Sequence, residues 1–172
     1  MNQEKGIEYF DIVDDEDRVI GTALRFRCHG DPALVHRVAH VIVVNGRDEL
    51  LLQKRSPEKD IQPDKWDTSV GGHLNIGEEY DAAARREMNE ELGIEEASLD
   101  FLYAYPLRNA IESENVRTYL CRYDGEISFD PAEITEVRFW SMEEIRRDLG
   151  TGIFTPNFAE EFGYYRQFLG IE

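Results

Sequence analysis

Between residues 78 and 92 the chain sets carboxylates on the same helical face as its apolar residues. Tyr80, Ala84, Met88 and Leu92 recur every four positions and make one apolar stripe that must be buried. At about 100° per residue, Glu91 projects between Tyr80 and Ala84, and Glu87 lies just beside them. Glu90 falls on the flank, one turn after Arg86, which can hold it at i, i+4. Acidic residues at the start and Gly93 after the last periodic position bound the expected helix at Glu78 to Leu92. A solvated acidic face would put its carboxylates opposite the stripe. Here three like charges share one turn, and burying them raises their pKa values or demands compensation. A hard dication, Mg²⁺ (or Mn²⁺), supplies that compensation through oxygen ligands. Gly71-Gly72-His73-Leu74-Asn75-Ile76-Gly77 precedes the helix. It reads as a loop that lets the backbone approach a bound group, or as a plain strand-to-helix turn.

The rest of the chain supplies a sheet for this helix to cover. Glu8 to Val13 and Arg18 to Leu24 are strand-like around a polar Asp14–Asp17 turn, forming a hairpin. Ala39 to Val44 and Glu49 to Lys54 form a second pair, where Asn45-Gly46 favours a tight reversal. A loop containing Pro57 and Pro63 runs to Trp66. Strand patterns recur at Leu99 to Tyr105, Val116 to Tyr123 and Val137 to Trp140. Ser141 to Glu144 has the form of a capping box opening a short helix, and Phe158 to Leu169 is a last helix. The expected class is α+β, a sandwich with the sheet between helices.

Acidic residues outnumber basic ones by 36 to 19, a net charge of −17, which disfavours long nucleic acid and anionic membranes as partners. The same field opposes a phosphorylated ligand unless Lys, Arg or metal is placed locally. Cys28 and Cys121 make no short-spaced pair. The polar start MNQEKGIEYF and the short apolar run Val41–Val44 point to a cytoplasmic chain with no membrane span, and its oligomeric state is open between monomer and homodimer.

The segment 72–94 resembles the Nudix box: Gly, five residues, Glu, seven residues, Arg-Glu-apolar-any-Glu-Glu-any-Gly-apolar. Gly72, Glu78, Arg86, Glu87, Met88, Glu90, Glu91, Gly93 and Ile94 fill every specified position. The resemblance implies a single domain over 1–172, a Nudix-type α/β/α sandwich with a mixed sheet and an N-terminal hairpin extension at 1–30. It also implies metal ligands at Glu87, Glu90, Glu91 and the Gly71 carbonyl, with Glu87 and Glu91 as catalytic carboxylates. Gly72, Glu78, Arg86 and Gly93 would support the box. The implied activity is Mg²⁺-dependent hydrolysis of a diphosphate linkage in a small molecule, such as a nucleoside diphosphate derivative.

Outside the box the chain is similar to the isopentenyl-diphosphate isomerase branch, through the N-terminal hairpin, Gly21-Thr22, Trp66, Gly72-His73 and Phe154-Thr155-Pro156. That likeness implies a second metal site of His29, His36, His73, Glu112 and Glu114, and diphosphate contacts from Arg25, Arg55 and Lys59. Two departures weigh against isomerase activity. The catalytic cysteine of that branch falls on Gly71, and its carbocation-shielding aromatic falls on Asn157. A proton-shuttling isomerase needs paired acid and base groups, whereas hydrolysis needs clustered carboxylates and metal. The alternatives are the isomerase and a non-catalytic nucleotide- or metal-sensing module. Trp66, Tyr103, Tyr105 and Phe154 could stack on a ligand or simply pack the core.

Overall fold

A computed structural model describes residues 7–171. The first six residues of the polar start, and the outer limits of the 1–172 domain and 1–30 extension, lie outside them. The strands are β1 (Tyr9–Val13), β2 (Val19–Leu24), β3 (Val35–Val44), β4 (Leu50–Arg55), β5 (Trp66–Asp67), β6 (Val70–His73), β7 (Asp100–Arg108), β8 (Ser113–Arg122) and β9 (Ile134–Trp140). The helices are α1 (Arg25–Cys28), α2 (Tyr80–Leu92), α3 (Met142–Asp148) and α4 (Pro156–Phe168).

β3 is the spine of the mixed sheet. It runs parallel to β8 over its whole length and antiparallel to β6, and it touches β4 only at Val44–Leu50. β7 flanks β8, while β5 and β9 flank β4. A strand covered on both faces needs apolar residues at nearly every position, which Val38 to Val44 provide with one exception, His40. Ala39, Val41 and Val43 pack under α2 with Ala83, Ala84, Met88 and Leu92. Ile42 and Val44 pack on the other face with Ile145 of α3 and Phe158 and Phe162 of α4. This is the expected helix–sheet–helix sandwich. Trp66 and Phe154 belong to the second core, and Tyr103 and Tyr105 pack near Tyr164 of α4. Among the described residues no helix is long and apolar enough to cross a membrane.

The β1–β2 hairpin forms its own two-stranded sheet and is pinned over the β6–α2 connection. Asp11 Oδ2 accepts from the Gly77 amide at 2.8 Å. At the hairpin tip, Asp17 accepts from Tyr80 Oη at 3.1 Å and from Asn115 Nδ2 at 2.8 Å. Arg117 and Arg37 both stand over the Tyr80 ring.

Several boundaries differ from the sequence reading. α2 begins at Tyr80, because Glu78 accepts the Asn75 amide and the Arg86 guanidinium from outside the helix. The Gly71–His73 stretch is strand, not loop, since its backbone pairs with β3. In the 45–48 turn the left-handed residue is Asp48 (φ 57°), with Asn45 Oδ1 accepting from the amides of Arg47 and Glu49. The turn spans Asn45 to Asp48 as the sequence places it, and takes its left-handed conformation at Asp48 and not at Gly46. Arg25–Cys28 adds a short helix the pattern did not signal.

Gly93 ends α2 as expected, at φ 67° with its amide on Asn89 O. A Cβ there would stand 3.2 Å from Ser128 Cβ in a backbone conformation that disfavours side chains. Gly93→Ala is expected to cost about 1–2 kcal/mol of folding stability, measured by urea denaturation at unchanged m-value.

Candidate active site

Gly71 and Gly72 sit opposite His40 and Ala39 of β3, and strand alternation turns their Cα faces to opposite sides of the sheet. A Cβ on Gly72 would overlap the Glu87 carboxyl, so that glycine makes room for the carboxylate. A Cβ on Gly71 would stand 3.1 Å from His40 Nε2. Glu91 reaches the same strand. It accepts from Gln53 Nε2 at 2.6 Å and from the Gly71 amide. Burial and the neighbouring Glu87 push the Glu91 carboxyl up to about 8. Burial also pushes Glu87 up, against the counter-pull of Arg86.

Arg86 is the local cation that makes this concentration of acid tenable. Its guanidinium donates to both Glu78 oxygens at 2.9 Å, to Glu87 at 2.6 Å and to the His73 carbonyl at 3.0 Å. Its contact with Glu90, the partner expected from i, i+4 spacing, is longer at 3.3 Å. Glu90 is largely exposed. Among the described residues, Glu87, Glu90 and Glu91 do not form a set whose ligand atoms all lie within 4.8 Å of one another. Glu87 and Glu91 face inward, and Glu90 lies at the rim.

The His/Glu set is more tightly assembled. His29, His36 and His73 bring ligand nitrogens within 4.8 Å of one another, and so do a His36 nitrogen and carboxylate oxygens of Glu112 and Glu114. His36 Nδ1 donates to the Leu34 carbonyl at 3.2 Å, which aims Nε2 at the cluster. That Nε2 is buried and has no hydrogen-bond partner among the described residues. Burial and His73 push His29 down to about 4, so its ring is neutral at pH 7. Burial opposes ionisation of Glu114, but the neighbouring His36 and His73 rings outweigh it and hold the carboxyl below its usual range. Phe10 of the hairpin stacks on His73 and His36 and closes the cluster from above. Three imidazoles around an orphaned nitrogen, with carboxylates alongside, suit a divalent metal.

The three cations expected at a diphosphate are dispersed. Arg55 donates to the Ile61 carbonyl and stands 3.4 Å from Asp67, which also accepts from Thr155. Arg25 pairs with Glu8 at 2.7 Å on the hairpin side, and Lys59 pairs with Glu133.

Four residues that sequence reasoning passed over complete the surroundings of Gly71: Gln53, Asp67, His40 and Glu161. Glu161 of α4 is only 1% exposed and accepts from His40 Nδ1 at 3.1 Å and from Thr118 Oγ1 at 2.8 Å. Burial opposes charge on His40, but Glu161 outweighs it and the ring is pushed up to about 9. A signal existed for Glu161. Phe158, Glu161, Phe162 and Tyr165 are spaced i, i+3, i+4, i+7, a carboxylate within an apolar stripe.

The NUDIX domain family matches residues 34–161. A Yersinia pestis protein named an uncharacterized Nudix hydrolase is 36% identical over 149 residues, covering 84% of this chain and 79% of that protein. An isopentenyl-diphosphate Delta-isomerase from Aliivibrio fischeri is 28% identical, covering 83% and 84%. The crystal structure of DR0079 from Deinococcus radiodurans superposes with a TM-score of 0.77 at 29% identity, over 91% of this chain and 98% of that one.

The raised Glu91 has a consequence for stability. Its carboxyl ionises near 4.5 when unexposed to the fold and about 8 within it, and His40 moves from 6.5 to about 9. Their contributions are complete below the unfolded values and are lost as pH rises through the folded ones. His29 acts in the opposite direction, but its unfolded-state ring is half titrated at pH 6.5 and its opposing contribution fades above that. Metal-free protein should therefore lose stability from pH 6.5 to 8, by up to about 1.4 kcal/mol per pH unit for each proton. Glu91→Gln should flatten that slope, read from denaturant midpoints in EDTA. An equal slope in wild type and variant would refute the assignment.

Proposed function

The chain belongs to the Nudix family as a Nudix hydrolase, and from that premise we propose that it cleaves a diphosphate linkage in a small molecule with the help of Mg²⁺ or Mn²⁺. The observation that carries this reading is the pair of inward carboxylates, Glu87 and Glu91, gathered at Gly71-Gly72. Carboxylates this buried, with their pKa values raised, stand ready to exchange protons for a dication. Glu87, Glu91 and the Gly71 carbonyl would hold it, with Glu90 joining from the rim. The bound metal supplies charge neutralisation at the diphosphate and a lowered pKa for a coordinated water.

The chain's own groups do the rest. Glu87 or Glu91 takes the proton from the attacking water. Arg86 keeps Glu78, Glu87 and the His73 carbonyl in register. Gln53 orients Glu91. Arg55, with Lys59 and Arg25, would meet phosphate oxygens as the substrate draws them from their present carboxylate partners. The domain spans 1–172 in this reading, with 1–30 as the hairpin extension, and Phe10 of that hairpin covers the His/Glu cluster. That cluster, His29, His36, His73, Glu112 and Glu114, favours a second metal position and not a second reaction. Gly71 has no side chain to move a proton, and Asn157 at the start of α4 offers no aromatic face to a carbocation. The full set of box carboxylates likewise favours turnover over a purely sensing role.

Two measurements test this. Nucleoside diphosphate sugars, dinucleotides, nucleoside triphosphates and prenyl diphosphates are screened with Mg²⁺ or Mn²⁺ for phosphate or nucleotide release. Glu91→Gln should lower turnover of the best substrate on the order of 100-fold or more while leaving the fold intact. Wild-type rates in that variant would sink the reading. For the second position, metal analysis of protein loaded with Mn²⁺ and desalted should show about one ion fewer per chain in His36→Ala than in wild type.

A further inference from the structure

We propose that the protein pairs with a second copy of itself along the outer edge of β2, the two hairpins joining antiparallel about Thr22 into one four-stranded sheet.

β2 reads Val19-Ile20-Gly21-Thr22-Ala23-Leu24, with neither a charge nor a proline, in a chain where 32% of residues are charged. Among the described residues it pairs with β1 alone, so its other edge has no strand partner. Open edges are ordinarily blunted by charge or proline, and this one lacks both. The register says which groups lie on it. Tyr9 stands opposite Leu24, which puts Glu8 opposite Arg25, and the Arg25 amide donates to the Glu8 carbonyl at 2.9 Å. Antiparallel pairs alternate between bonded and non-bonded, so Ala23 bonds to Phe10 whereas Thr22 and Asp11 do not bond. The amide and carbonyl of Thr22 and the amide of Leu24 therefore point away from β1. The register shift at Ile12/Val13 leaves Ile20 unopposed, and its side chain is 66% exposed. Phe26, just past the strand, is 72% exposed.

The charges around this edge select a like copy as its occupant. Asp14, Asp15, Glu16 and Asp17 precede β2, and Arg25 and Arg27 follow it. Antiparallel pairing about a two-fold axis brings the basic end of each copy to the acidic turn of the other, and every such contact occurs twice. Parallel pairing would set acid on acid and base on base. Arg25 already holds Glu8, but Arg27 and Asp15 are both exposed and, among the described residues, neither is in an ion pair. From 14 to 27, four acidic residues and three basic ones nearly cancel, against −17 for the whole chain. Two molecules that repel elsewhere can meet there, whereas a strongly basic partner would be drawn to the rest of the surface. The axis at Thr22 also sets Ile20 of each copy beside Leu24 and Phe26 of the other, removing apolar surface from water. A two-stranded sheet is marginal by itself, and pairing makes it four-stranded. Since the hairpin carries Phe10 onto the His73 and His36 rings, the same contact braces the roof of the imidazole cluster.

Sedimentation equilibrium of the whole protein follows its mass over a roughly hundredfold range of concentration centred on about 10 μM, suited to a small interface. Wild type should rise from the 20.0 kDa chain toward twice that mass. Thr22→Pro removes an edge amide that β1 does not use, and Ile20→Lys places a charge on the edge. Each should weaken association about tenfold or more, with the near-UV spectrum and the melting temperature in dilute solution unchanged. Arg27→Glu should weaken it as well, and adding Asp15→Arg to that variant should restore it to within about threefold of wild type. If Thr22→Pro does not fold, Ile20→Lys and Arg27→Glu decide, since both positions are exposed. Wild type that keeps the mass of one chain throughout overturns the proposal. So does a dimer that Ile20→Lys leaves intact, because another face then joins the copies, and so does a charge swap that fails to restore association.

Discussion

Three consecutive residues of β6 organise the charged chemistry of this protein because two of them have no side chain. The space that a Cβ on Gly72 would need is taken by Glu87, and the space beside Gly71 is open to His40. The third residue, His73, enters the imidazole cluster. Acidic groups from α2 and a histidine backed by α4 thus approach one short strand from opposite faces of the sheet. They could not do so at a strand with ordinary side chains. Glycine weakens a strand, and the cost is offset here by pairing with β3, whose own residues are buried on both faces.

Convergent carboxylates need compensation, and the fold provides it in layers. Arg86 bridges Glu78, Glu87 and the His73 carbonyl, joining the start of α2 to the end of β6. Asp17, Tyr80, Arg37 and Arg117 then fasten the hairpin over the same connection. The hairpin brings Phe10 onto the imidazole rings and so makes the cluster dry enough to keep His29 neutral. Stability and site assembly depend on the same contacts.

Much of this was legible in the residues. The four-residue apolar stripe, the inward carboxylates, the Gly93 stop and the Ser141 capping box all stand where the pattern put them. Those features are local, governed by helical geometry within one or two turns. The same reasoning applied to Phe158–Tyr165 would have singled out Glu161, and a histidine inside the apolar run of β3 was its natural counterpart. What misled was composition. Gly71-Gly72 reads as loop by propensity, and only pairing with a distant strand makes it sheet. Glu78 reads as helix by pattern, yet its carboxylate is engaged by Asn75 and Arg86 ahead of the first turn.

By itself the sequence determined the α+β class, the acidic helix and its inward face, and the family to which the box belongs, because each rests on spacing along one segment. Tertiary structure alone decided what the buried carboxylates meet: Glu91 finds Gln53 from β4, and Glu87 takes the space beside Gly72 of β6. It also decided that three histidines spread over 45 residues meet around one orphaned nitrogen, and that His40 faces Glu161 across 121 positions. Periodicity carries no information about such distances. Only the crossing of strands and helices sets them.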